Sequence, residues 1–147
     1  MSYLSAYQML EGGLSAAFVT DRSAAMPRVV HFEICADKPD RAVEFYQNVF
    51  GWEIRRWDGP LEYWLITTGD DDEPGINGGL VHRDSSVAGP TNIVEVPSLD
   101  EALMRIAQSS GHLVQSRTPV PGIGFIAHCM DTEGNSFAIM ERDESAP

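Results

Sequence analysis

The chain has little with which to build a cross-linked, membrane-bound or polyanion-binding protein. It holds two cysteines in 147 residues, Cys35 and Cys129, and neither sits in a CxxC pair. Two distant cysteines make no disulfide framework, so they read as reduced, partly buried thiols of a cytoplasmic protein. Basic residues are scarce: 10 Lys+Arg against 22 Asp+Glu, a net charge of −12. That field repels phosphate backbones and anionic lipid, which argues against nucleic acid or membrane as a partner. No apolar run approaches the ~20 residues of a membrane span, and the N-terminus lacks the basic-then-apolar pattern of a secretory signal. No GxGxxG, Walker or GxSxG motif is present.

The 43% apolar share is ordinary for a globular chain, and a length near the common domain size of roughly 100–150 residues allows a real core without staples. Residues 1–27 differ from the rest. They are rich in Ser, Ala and Gly, and Gly12-Gly13 interrupts the helical spacing of Tyr7, Met9, Leu10 and Leu14. They read as an N-terminal extension adding a strand or short helix; a second reading takes Met26 as the true start. Residues 28–147 read as one domain.

Within it, Val29-Val30-His31-Phe32-Glu33-Ile34-Cys35 alternates as a strand does. Pro39 opens a helix with Asp37 as the candidate N-cap; Ala42, Val43, Phe45, Tyr46, Val49 and Phe50 form its apolar face, and Gly51 ends it. Strands follow at 52–57, 62–67 and 78–82, the last two separated by the solvated acidic loop Asp70-Asp71-Asp72-Glu73. After a polar linker closed by Gly89-Pro90, the pattern recurs. A strand covers 92–96, and Ser98 with Glu101 forms a capping box before a helix whose face is Leu99, Ala102, Leu103, Ile106 and Ala107. Gly111 ends that helix, and strands follow at 112–116, 124–130 and 136–141. The chain thus repeats strand, helix, three strands, in modules of about 28–83 and 91–142. The class is α+β.

The segments His31-Phe32-Glu33-Ile34, Arg41, Phe45-Tyr46, Phe50-Gly51-Trp52, Gly78-Gly79-Leu80 and Asp131-Thr132-Glu133-Gly134-Asn135 with Phe137-Ala138-Ile139 resemble, in order and spacing, the vicinal-oxygen-chelate family of glyoxalases, bleomycin-resistance proteins and extradiol dioxygenases. The resemblance covers residues 28–142. It implies two tandem βαβββ modules whose mixed sheet curls around a cavity, with homodimers common. It also implies metal ligands, usually His, His and a carboxylate, on inward-facing strand positions. Those positions fall on His31, Gly79, Thr91 and Ala138. Glu141, three residues past Ala138, points to the opposite face. One imidazole does not hold a divalent ion. No metal or other cofactor is therefore expected.

Strand parity adds Glu33 and Cys35 to the face of His31, and Ile93 and Glu95 to that of Thr91. In one reading, His31, Glu33 and Glu95 perform acid–base chemistry or form a rearranged metal site, making the chain a lyase, isomerase or dioxygenase. In the other, these groups bond strand neighbours or arginines such as Arg28 or Arg117. The favoured reading is a pocket for a small organic molecule, cationic or hydrogen-bond-donating, lined by His31, Glu33, Cys35, Gly79, Thr91, Glu95, Ala138 and Trp64. Trp64 stacks on a flat ligand or is core; Trp52 and Trp57 are core. His82, His112 and His128 are surface or strand-satisfied residues.

Overall fold

A computed structural model describes residues 26–84 and 89–147; the expected N-terminal extension otherwise lies outside them. The elements are β1 (Arg28–Ala36), α1 (Pro39–Phe50), β2 (Glu53–Arg56), β3 (Tyr63–Thr67), β4 (Gly78–His82), β5 (Thr91–Glu95), α2 (Leu99–Gln108), β6 (His112–Val120), β7 (Gly124–Met130) and β8 (Ser136–Arg142). This is strand–helix–three strands, twice. The eight strands form one mixed sheet, in the order β2-β3-β4-β1-β5-β8-β7-β6, that does not close on itself. Each half joins its first and last strand in parallel, β1 with β4 and β5 with β8, and the halves meet through the antiparallel pair β1–β5. No described helix is long and apolar enough to cross a membrane.

Alternation decides which side chains meet the helices. On one face, Ala36, Ile54, Trp64, Ile66 and Leu80 form a core completed by Phe32, Ile34, Ala42, Val43, Tyr46 and Trp52. The second half repeats this with Val96, Leu99, Ala127, Cys129 and Ile139, backed by Ala102, Leu103 and Ile106. Leu80 and Ile66 are essentially inaccessible, and a buried side chain of this size contributes about 1.5–3 kcal/mol. The apolar face of α1 is wider than the surface it covers: Phe45, Val49 and Phe50 remain more than half exposed.

Helix ends follow local chemistry. Gly51 takes a left-handed φ of 70° and caps α1, a conformation a side chain disfavours. Lys38, not Asp37, is the N-cap of α1, and it makes no side-chain cap bond. Asp37 instead accepts from Arg83 at 3.1 Å. Ser98 caps α2 by accepting from the Glu101 amide at 3.3 Å. Its C-cap is Ser109, two residues before the expected Gly111. β6 runs on past the expected Ser116 to Val120; Pro119 is tolerated there because β6 is an edge strand.

Glu141 points to the helix face, as its offset from Ala138 requires. Its Oε2 accepts from the Leu99 amide at 2.7 Å, placing a carboxylate on the first turn of α2. Glu141→Ala is expected to lower stability by about 1 kcal/mol in urea unfolding, and Glu141→Gln by less, because its amide oxygen still accepts.

Candidate functional site

No helix among the described residues packs on the other face of the sheet, yet its central side chains are withdrawn from water. Thr91, Ile93 and Ala138 are 1%, 3% and 0% exposed, and they lie on this face by alternation and register. Asp84, just after β4, acts electrostatically on both Cys35 in β1 and His128 in β7. Those strands are separated by β5 and β8, roughly 14 Å along a flat sheet.

On this face Glu33 pairs in register with Gly79 of β4 and Thr91 of β5. His31 begins a row that continues through Ile93, Ala138 and His128. The Tyr63 hydroxyl lies 2.6 Å from His31 Nε2 and is also hydrogen-bonded to the Glu33 carboxylate. The rings of His31 and Tyr63 stack at 6.4 Å and 18°.

The pair Gly78-Gly79 makes this arrangement possible. Their missing side chains would project to opposite faces. A Cβ on Gly78 would collide with the Phe32 ring, and one on Gly79 with the ring and hydroxyl of Tyr63. Each glycine is therefore the floor under one aromatic ring. Tyr63 occupies the room that a side chain at position 79 would take.

The electrostatics follow from burial without a counter-ion. Desolvation raises the Glu33 carboxyl above its ordinary range, against a smaller lowering by the Tyr63 hydrogen bond. Burial pushes the Tyr63 phenol up, reinforced by the Glu33 charge and the hydrogen bond to it. Burial lowers His31 below its ordinary value, which favours the neutral imidazole.

A carboxyl whose folded pKa is raised favours folding when protonated. Its contribution is complete below the unfolded value near 4.5 and is lost as pH rises through the folded value. Glu33→Gln removes this loss. The melting temperature of the variant minus that of the parent is expected to become more positive between about pH 4 and pH 8, as calorimetry would show.

The remaining sequence candidates fall into place around this cluster. Cys35 is buried and its thiol donates to the Gly89 carbonyl at 3.2 Å; the Thr91 hydroxyl donates to the same oxygen at 3.3 Å. Burial, then Glu33, push the Cys35 thiol up. Ala138 sits in the row beside His128. Trp64 lies in the core beneath α1, with its ring on the face opposite to Tyr63. Glu95 shares the face of Thr91, two residues past Ile93, the register partner of His31, and four past Thr91, the partner of Glu33. There it accepts from Arg142 Nε at 2.8 Å, so its carboxylate is engaged by a cation. Neither Arg28 nor Arg117 is its ion-pair partner; Arg117 pairs with Asp100 and lies over the Phe125 ring.

Sequence reasoning does not reach Tyr63 or Asp84, and it reads His128 as a surface or strand-satisfied residue. Parity offers a signal for Tyr63: if Trp64 and Ile66 are core, Tyr63 must face the other way. His128 is half-buried on the helix-free face, its pKa lowered by burial and raised by Asp84.

These residues do not fit a divalent metal. Of His31, Gly79, Thr91 and Ala138, His31 alone has a strong donor, and its Nε2 is engaged by Tyr63. Among the described residues no three His, Cys, Asp or Glu side chains gather in a metal-holding group. Two further clefts exclude the cluster. One of about 770 Å³ is lined by Val29, Val94, Phe137 and Asp131. Another of about 380 Å³ lies beside α1 at Arg41 and Arg83.

Residues 28–69 match the family model described as bleomycin resistance protein-like N-terminal. No curated protein matches the chain in sequence. Among solved structures, hypothetical protein BH1468 from Bacillus halodurans aligns with a TM-score of 0.62 at 13% identity, over 84% of this chain and 99% of its own. Methylmalonyl-CoA epimerase from Mycobacterium tuberculosis aligns at 0.59 and 17% identity, over 84% and 96%. A variant of the Streptomyces coelicolor epimerase, in complex with 2-nitronate-propionyl-CoA, aligns at 0.61 and 17%, over 84% and 99%. At these identities the likeness is one of fold.

Proposed function

We propose, for a chain that belongs to the vicinal-oxygen-chelate superfamily, that it is a metal-independent binder of a small organic molecule held on the helix-free face of its sheet. One observation carries this reading. The Tyr63 hydroxyl, lying over Gly79, joins His31 to Glu33 where the resemblance implies metal ligands. The group is fixed, polar and partly buried beside the apolar side chains of Ile93 and Ala138, and a few convergent polar groups in an apolar setting are the usual make-up of a small-molecule site. The bleomycin-resistance-like match of the first module supports sequestration over turnover. A homodimer is part of the reading by resemblance, and a cytoplasmic location by composition.

Chemical-shift mapping with a library of small organic molecules in metal-free protein tests it. Perturbations should gather at His31, Tyr63, Thr91 and Ile93. Perturbations confined to the helix-bearing face would contradict it.

A second reading, an acid–base enzyme, draws support from the buried Glu33 carboxyl hydrogen-bonded to Tyr63, since a raised carboxyl is a competent proton acceptor. The epimerase neighbours suggest the assay. Exchange of the methylmalonyl-CoA α-proton in D₂O, abolished by Glu33→Gln, would favour the enzyme; its absence at high protein concentration favours the binder.

A further inference from the structure

We infer that the cleft of about 380 Å³ beside α1 is a second binding site, which takes a small organic anion: a carboxylate or phosphate headgroup carried on an apolar body. Its volume lies in the range of small-molecule pockets, roughly 300–1,000 Å³. The inference stands on side chains that the reading of the helix-free face does not use.

Two chain segments leave the sheet side by side here. Strands β1 and β4 are parallel, with Ala36 opposite His82, and the Arg83 amide donates to the Ala36 carbonyl at 2.9 Å. Each segment brings a cation to the cleft: Lys38 follows β1, and Arg83 follows β4. A third comes from α1. Arg41 and Phe45 stand one turn apart on one side of that helix, and both line the cleft with Tyr46. Phe45 is 56% exposed, so it offers bare apolar surface beside the cations. It meets the Tyr46 ring edge-on at 5.1 Å. Tyr46 in turn stacks on Trp52 at 5.4 Å and 6°, and both pack against the core of the first module. The apolar wall is thus anchored from behind.

Charge here runs against that of the chain. Three of the protein's ten basic side chains line this cleft, among them its single lysine, against one acid, Asp37. Three cations less one acid leave an excess of two positive charges. The neighbouring acids Asp40, Glu44 and Asp84 are not in the lining. Asp37 is taken up by Arg83 at 3.1 Å, and the same guanidinium donates to the Cys35 carbonyl at 3.2 Å, which fixes it in place. Among the described residues Lys38 and Arg41 enter no ion pair. Screening at physiological salt acts over about 8 Å, so the local excess outweighs the acidic remainder of the surface for a ligand already in the cleft. A guanidinium holds a carboxylate or phosphate through two parallel hydrogen bonds, and an ammonium adds a point charge. A cationic ligand would meet like charge on three sides.

The test titrates benzoate, phenyl phosphate and benzylamine (an ammonium at about pH 7) into full-length protein and follows the NMR signals of Lys38, Arg41, Phe45 and Arg83. At least one of the two anions is expected to shift these signals and to bind about tenfold or more tighter than the ammonium. The tighter of the two assigns the headgroup as carboxylate or phosphate. Arg41 is exposed and outside both cores, so Arg41→Gln keeps the fold, and it should weaken that anion by about tenfold. Raising NaCl from about 0.05 M to about 0.5 M should weaken it too. Ammonium binding as tight as that of the anions, silence of these residues toward both anions, or anion binding indifferent to Arg41→Gln each overturns the inference. An anion that shifts this cleft, in a protein whose helix-free face takes no library compound, upholds the inference and removes the reading of that face.

Discussion

Tyr63→Ala is expected to cost about 3 kcal/mol or more in chemical unfolding and to abolish ligand binding on the helix-free face. The loss has two parts. Removing the ring leaves a void over Gly79, where neither residue supplies a side chain. Removing the hydroxyl leaves His31 Nε2 and the buried Glu33 carboxylate without their shared partner. Tyr63→Phe separates the parts, because it keeps the ring and deletes the oxygen. It should cost about 1–3 kcal/mol, the penalty of unsatisfied buried polar groups. If Tyr63→Phe is as stable as the parent and leaves the His31 ring signals unchanged, the hydroxyl does not organise the site.

Gly124→Ala should be comparably damaging, by about 3 kcal/mol, for a reason confined to the backbone. Gly124 opens β7 with φ near 157°, and a Cβ there would run into the carbonyl oxygen of Glu141 and the Cα of Arg142. No rotamer relieves a collision with main chain. The β7–β8 ladder from Gly124–Arg142 to Met130–Ser136 would have to shift. Because β8 carries Ala138 on the helix-free face and Glu141 under α2, both layers would feel the change. Thermal unfolding reads the result directly. Gly122→Ala, only two residues away and with nothing near its missing Cβ, provides the contrast. Its φ of 71° makes it strained but not obstructed, with an expected cost of about 1 kcal/mol.

Features that depend on local pattern are legible in the sequence. Alternation in 29–35 separates His31, Glu33 and Cys35 from Phe32 and Ile34, and the structure keeps that separation. Helical spacing locates α1 and α2, and their repeat after matching strands gives the two-module architecture. The site needs more, because it depends on which strands lie beside β1. That β3 lies beyond β4, with Leu65 opposite Gly79 and Tyr63 opposite Val81, is a register fact. Only that register explains why two adjacent glycines are required. Trp64 offers the larger ring, but its neighbour faces the site. The pairing of Glu95 with Arg142 is hidden for the same reason: β5 and β8 are adjacent and parallel only through a crossover by α2, β6 and β7. Asp84 falls in a stretch that reads as linker, and a loop side chain has no periodicity from which to infer its direction.

The physical content of the site is an exchange of one kind of organiser for another. A metal fixes several ligands through one charged centre. Here a phenol fixes an imidazole and a carboxylate through one proton and two lone pairs. That arrangement needs an empty position 79 and an aromatic hydroxyl at 63, and both are present. It also gives the site a definite hydrogen-bond polarity, which a hydrated ion would not.

The most direct measurement is the ¹⁵N spectrum of the His31 ring in full-length protein, recorded before and after addition of one equivalent of Zn²⁺. The account predicts an Nε2 hydrogen-bonded to the Tyr63 hydroxyl and unchanged by the metal. An Nε2 that binds Zn²⁺ and gives up the Tyr63 hydroxyl would contradict it.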